Sequence, residues 1–177
     1  MAALLTGCGE EHVDSTPMAD PMMEEPAQPP VSVLDPFALT PVTADLDPLA
    51  HHRPLDVDCP SATWGPEGGG FEVQTGACAY GAFDQPLPMD LEAGDTLVIT
   101  VWHDFLDAPE PAEGHIAVWI DDTVIWEEVV QIPAPSRTLG AEVALDFTPT
   151  PDARLGLHLH NHGFNSWRLV SINALRR

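Results

Sequence analysis

The chain has 177 residues, 28 acidic side chains against 6 basic ones, and a formal net charge of −22 at pH 7. A polyanion of this kind repels phosphate backbones and anionic headgroups, which excludes nucleic acid as a partner and direct electrostatic docking on a membrane. It favours solubility and the attraction of cations, although an acidic compositional bias would leave the same trace.

At the N-terminus, Ala2–Leu5 is a fragment of an apolar run, and Leu5-Thr6-Gly7-Cys8 follows. This pattern resembles a bacterial lipobox, the cleavage site of lipoprotein signal peptides. The resemblance implies that residues 1–7 are the end of a signal peptide and that Cys8 becomes the lipidated first residue. The apolar run is too short for a membrane span or an intact signal peptide, so the true start is expected upstream. With Gly9 rather than Asp after the cysteine, the resemblance points to export and an outer-membrane anchor. The alternative is a chance cysteine near a cytoplasmic N-terminus. If Cys8 carries lipid, Cys59 and Cys78 remain as an even pair, which suits a disulfide in an oxidising compartment. Closing that loop would stabilise the fold by ~3 kcal/mol on chain-entropy grounds. Neither cysteine has zinc-site spacing.

Residues 8–50 are rich in Pro, Ala, Asp and Glu, with prolines at 17, 21, 26, 29, 30, 36, 41 and 48. Such a segment is expected to be an extended, disordered spacer. Val31, Val33, Leu34 and Phe37 are the residues able to dock locally.

Residues 51–177 read as one all-β domain. Alternating or β-branched runs occur at 71–83, 95–105, 114–132, 141–148, 154–161 and 165–173, punctuated by Gly, Pro, Asp and Asn. Asp121-Asp122 is expected to turn a hairpin within 114–132. No stretch keeps a 3.6-residue apolar period, so helix content should be small. About eight strands in this length predict a two-sheet β-sandwich of jelly-roll type. "MDLEAGDTLVITV" (89–101) followed by "GLHLHNHGFNSWRLVSI" (156–172) is similar in layout to carbohydrate-binding-module and galactose-binding-like jelly rolls. That resemblance spans roughly residues 58–173. It implies a sandwich fold in which a structural Ca2+ and a sugar site are common, without assigning either to particular residues.

The densest chemistry lies in "LHLHNHGFNSW" (157–167). Side chains alternate along a strand, so Leu155, Leu157 and Leu159 share the core face while His158, His160 and His162 share the other. Successive imidazoles would stand ~7 Å apart. With His115 and His103 opening and closing neighbouring runs, the five histidines form a candidate site for Zn2+ or Cu2+. His158-x-His160 resembles the first half of the cupin metal motif, but Gly163, Phe164 and Asn165 stand where its glutamate is expected. The alternative is a solvent-facing row of imidazoles with no ligand.

Aromatic residues suggest a different surface. By alternation Trp102 and Trp119 lie opposite the core aliphatics, and an outward Trp beside His and Asn makes a sugar-stacking platform. Trp102, Trp119, His115, Asn161 and Trp167 are therefore the candidate ligand-binding residues; filling the sandwich is the other fate open to these tryptophans. Asp90, Glu92 and Asp95 are candidates for a structural Ca2+.

Hydrolytic motifs are missing. Ser61, Ser136, Ser166 and Ser171 lie in no nucleophile elbow, and there is no His-Glu-x-x-His. Glu127-Glu128 and Asp121-Asp122 are adjacent and face opposite ways on a strand. The sequence thus favours a non-catalytic, membrane-anchored binding domain of the cell envelope, with a glycan or another envelope component as partner. A histidine-based metal-binding protein or metal-dependent enzyme is the first alternative, and a structural envelope lipoprotein the second.

Overall fold

A computed structural model describes residues 29–176. The lipobox and the spacer as far as residue 28 lie outside the described residues. The fold is all-β, two antiparallel sheets packed as a sandwich. Among the described residues there is no α-helix, only short 3-10 turns.

The strands in chain order are β1 (Val31–Ser32), β2 (Thr40–Pro41), β3 (Trp64–Glu67), β4 (Gly70–Gln74), β5 (Tyr80–Pro86) and β6 (Thr96–His103). Then come β7 (Ala112–Ile120), β8 (Thr123–Ile132), β9 (Arg137–Ala144), β10 (Arg154–Asn161) and β11 (Ser166–Leu175). The first sheet runs β3-β4-β11-β6-β9, with β1 paired to the end of β11; the second runs β2-β5-β10-β7-β8. The expected hairpin is present: β7 and β8 pair around Asp121-Asp122, with Asp121 at φ 53°.

Alternation explains the core. In β6, Leu97, Ile99 and Val101 point inward and are buried, while Thr96, Val98 and Thr100 are only partly covered. From the facing sheet Ile116, Val118, Ile120, Leu155, Leu157 and Leu159 meet them, so the leucines of β10 face the core as alternation requires.

Strands β5, β7 and β10 are also buried on their outer face. The cover comes from the segment expected to be a free spacer. Val33 and Leu34 are buried in the core, and β2 adds to the edge of β5. Residues 43–55 then cross the outer face of the second sheet as a strap with two 3-10 turns, Ala44–Leu46 and Ala50–His52. Residues 29–50, expected to belong to a disordered spacer, therefore lie against the sandwich instead. Their apolar side chains Val33, Leu34, Leu39 and Leu49 dock on a sandwich already built by residues far along the chain. Val31, Phe37 and Leu46 of the same segment stay exposed, Phe37 to 83%. Beyond the strap, the Cys59–Cys78 disulfide fastens the chain to the start of β5.

Trp119 shows how closely the strap lies. Its ring rests over Gly156 of β10, where a Cβ would penetrate the indole. Leu46 and Pro48 of the strap share with Trp119 the lining of one small cavity.

Candidate metal centre

The register of the second sheet assembles the site. His160 of β10 pairs with His115 of β7 on one side and Tyr80 of β5 on the other. His158 lies two residues along on the same face, flanked by Ala82 and Ala117. These two alanines leave room above the sheet. The strap fills it with Asp47 and His52.

Asp47 is the anchor. Its carboxylate accepts from the Leu49 amide at 2.9 Å, from the Tyr80 hydroxyl, and from His158 Nδ1 at 3.2 Å. Burial alone would push this carboxyl up; the hydrogen bonds from His158 and Tyr80 outweigh it and hold the group below the usual range. The same arrangement raises Tyr80, first through burial and then through its bond to Asp47. An ionised Asp47 can only accept, so the proton of His158 sits on Nδ1. Its Nε2 is buried and has no hydrogen-bond partner among the described residues.

His115 is oriented in the same manner. Its Nε2 is 3.1 Å from the Glu127 carboxylate, and its Nδ1 is 3.0 Å from Nδ1 of His52. The ring centroids are 4.9 Å apart for His52–His115, 5.4 Å for His115–His158 and 5.8 Å for His52–His158. One ring nitrogen from each residue falls within 4.8 Å of the other two. A tetrahedral Zn2+ with bonds of 2.0–2.1 Å needs ligand nitrogens about 3.3 Å apart, so a modest inward movement closes the set. His52, carried on the strap rather than on the sheet, is the ring free to make it.

Each part of this set suits a transition metal. His158 and His115 each hold a carboxylate on one ring nitrogen, the arrangement that fixes tautomer and strengthens an imidazole ligand. Burial, followed by the neighbouring imidazoles, pulls His52 below the ordinary histidine value. His115 is lowered too, by burial against the opposing pull of Glu127. Both rings are therefore neutral, as ligands must be, at neutral pH.

Of the histidines expected to bind metal, His115 and His158 are in this set. His160 and His162 adjoin it: His160 lies 6.4 Å from His52 and 4.4 Å from His162, centroid to centroid. His103 does not join them. It points into the core from the first sheet, its ring 4.8 Å from Trp167 and its Nδ1 2.8 Å from the Asp104 carbonyl. Two participants, His52 and Asp47, were missed by sequence reasoning. The only trace of them is the pair His51-His52 and an aspartate within a proline-rich stretch.

The candidate ligand-binding residues do not share one surface. Trp119 does turn away from the core, but the strap covers it to 1% exposure. Trp167 is inside the sandwich, donating from Nε1 to Asn161 Oδ1 at 3.2 Å, and Asn161 donates on to the Gly163 carbonyl. Both close the β10–β11 turn. Alternation gives the face a side chain occupies, but not whether another segment covers that face. Trp102 alone stays partly open, on the outer face of the first sheet with the Arg168 guanidinium 5.7 Å from its ring centre. Near the candidate calcium acids, Asp95 Oδ2 instead accepts from the Glu92 amide at 2.9 Å, closing the turn before β6.

No protein-family model and no curated protein sequence matches the chain. Solved structures with a related fold include the K3 cleaved adhesin domain of Lys-gingipain from Porphyromonas gingivalis W83. It is 13% identical with a TM-score of 0.45, covering 80% of this chain and 93% of that one. Another is the xylan-binding module CBM15, 9% identical with a TM-score of 0.41, covering 63% and 80%. A CBM4 structure is 17% identical with a TM-score of 0.37, covering 64% and 75%. At these identities and scores the likeness is confined to the fold.

Proposed function

We propose that this chain is a non-catalytic binding domain whose ligand is one divalent transition-metal ion, Zn2+ or Cu2+, held by His52, His115 and His158. The observation that carries this is the convergence of three imidazoles, two of them oriented by carboxylates, with one ring nitrogen of each within 4.8 Å of the others and the Nε2 of His158 unpartnered among the described residues. All-nitrogen donors favour these ions over Ca2+ and Mg2+. The expected lipid on Cys8 belongs to this reading, with the domain displayed from the outer membrane. Mass spectrometry of membrane-extracted protein tests the lipid: an unmodified Cys8 removes the anchor and leaves the metal site standing.

The direct test is elemental analysis and competition titration of the purified chain, with His52→Ala as the control. Its side chain sits on the strap, so the sandwich should persist. One ion per chain, lost in the variant, is the expected result. No stoichiometric ion at neutral pH would end the proposal.

A glycan surface is the second reading, favoured by one feature of the opposite sheet. Trp102, Arg168 and Glu72 lie in register across β6, β11 and β4, with Arg168 paired to Glu72. An open indole beside a guanidinium–carboxylate pair offers a stacking face with hydrogen-bonding groups at its rim. Among the structures with a related fold, CBM15 is a xylan-binding module. A glycan panel read by tryptophan fluorescence tests it: a hit abolished by Trp102→Ala supports the surface, and silence across the panel removes it.

A further inference from the structure

The trio is not sealed. A cleft of about 570 Å³ leads to it, lined by His52 and His115 at the inner end and by His160, His162, Glu113 and Glu127 towards solvent. His158 is fully buried behind. His162 lies just past the end of β10 and is exposed, while His160 is half-buried, so imidazoles recur from the mouth of the cleft to its floor. The carboxylate of Glu113 is steadied by Gln131 Nε2 at 2.7 Å. The His162 amide donates to the Glu113 carbonyl at 3.2 Å, which fixes this corner of the mouth.

His160 has no structural task that accounts for it. Its Nε2 is buried with no hydrogen-bond partner among the described residues. Its ring is 4.4 Å from His162, 5.4 Å from Tyr80 and 6.4 Å from His52, centroid to centroid. An imidazole with an unused, shielded nitrogen next to a second, exposed imidazole offers two nitrogen donors to the class of ion the trio would hold.

Resting on the metal reading above, we propose that His160 and His162 form a second, weaker position for the same divalent ion, through which the buried trio is loaded and emptied. The acidic mouth draws in the hydrated cation. The ion exchanges two of its waters for His160 and His162, then passes to His52, a ring on the strap within one short step. His52 displaces His162, and His115 and His158 then displace His160 and one remaining water. Ligand number rises from two nitrogens to three along the path, so the inner position is the tighter one and the outer one the faster. No electron moves, and each step trades one neutral donor for another. A site built this way suits an ion that is cargo, handed on to an acceptor, better than one that is a permanent part of the fold.

The experiment uses the full purified chain, stripped of metal, with Zn2+ as the probe and a chromophoric chelator as competitor. Stoichiometry and affinity come from titration, and loading and release rates from stopped flow. The wild type should take one tight ion and a second weak one at excess Zn2+. In His160→Ala/His162→Ala the tight ion should remain, with affinity within about threefold, while the weak ion disappears and exchange slows at least tenfold. His162→Ala alone, a change at an exposed side chain, should show the same trend to a smaller degree and guards against misfolding of the double variant. If the wild type holds one tight ion and the variants exchange it at the wild-type rate, the outer position is refuted. It is refuted equally if the folded double variant loses the tight ion, because the pair would then belong to the inner site. A wild type that takes no ion at all instead refutes the trio itself.

Discussion

The strap and the metal site share one side chain, Asp47, and substituting it separates their contributions. Asp47→Ala strips the partner from His158 Nδ1 and from the Tyr80 hydroxyl, and the His158 and Asp47 side chains are both wholly buried. Asp47 is a buried charged acceptor, and hydrogen bonds to a charged group contribute about 1.5–3 kcal/mol each, so losing both costs about 3–6 kcal/mol. Desolvated, unsatisfied donors cost about 1–3 kcal/mol each, which leads to the same range. For a domain of this size that is a fall in Tm of roughly 10–15 °C. Asp47→Asn differs, because its amide oxygen still accepts from Tyr80 or His158 and the cavity stays filled. Stability should fall by only about a third as much, yet the neutral amide no longer strengthens His158 as a ligand. Losing such a partner weakens metal binding about 10–100-fold. Thermal melts of the metal-free proteins and Zn2+ competition titrations read the two effects independently. A melt for Asp47→Ala within 3 °C of wild type would refute the anchoring role of the strap. Wild-type affinity in Asp47→Asn would refute the orientation of His158 by its carboxylate.

Three further outcomes follow from the same geometry. Metal-free protein should lose stability as pH falls from about 6.5, because burial, followed by His162 and the other imidazoles, lowers His160 to about 4. His52 and His115 shift in the same direction. Below the unfolded value the unfolded chain binds the extra protons, so each such ring contributes a slope of at most ~1.4 kcal/mol per pH unit, less where water screens it. Urea titrations that show stability flat or rising between pH 6.5 and 4.5 would contradict this. Gly156→Ala should cost at least about 2 kcal/mol, because a methyl group there displaces the Trp119 ring from its seat under the strap; an unchanged melt and unchanged tryptophan emission would show that the ring has room to move. A large excess of Ca2+ should leave bound Zn2+ in place, and displacement of Zn2+ would mean that Glu113 and Glu127, rather than the imidazoles, supply the donors.

The sandwich was legible because it is written locally. Leu155, Leu157 and Leu159 against His158 and His160 give the two faces of β10 within six consecutive residues, and the Asp121-Asp122 turn gives the β7–β8 hairpin. The site was only half legible. Parity placed His158, His160 and His115 away from the core, but it holds no information on what lies over them. The cover comes from 111 residues away, where Asp47 meets His158, and from 63 residues away, where His52 meets His115. Its own sequence, "TADLDPLAHHRPL", has prolines and acids in the proportion of a free spacer. The strap is ordered by polar contacts to the sheet more than by its apolar content, and composition cannot register such contacts. The same blindness explains Trp119, outward by alternation yet buried, and Trp167, whose indole closes a turn through Asn161.

Charge links the site to the composition of the whole chain. A divalent ion on three neutral imidazoles brings its full +2 to a position with one completely buried wall, where an uncompensated charge is costly. Asp47 and Glu127 each stand one imidazole away from that position and return one negative charge apiece. Placed there, rather than in contact with the ion, they balance its charge without supplying the oxygen donors that Ca2+ and Mg2+ prefer. Of the guanidiniums on this face, Arg154 is paired with Asp84, while Arg53 lies over the Tyr80 ring. The remaining acids at the mouth act at longer range, concentrating cations of every kind. Attraction is thus unselective at the entrance, and discrimination falls to the nitrogen donors on the floor of the cleft.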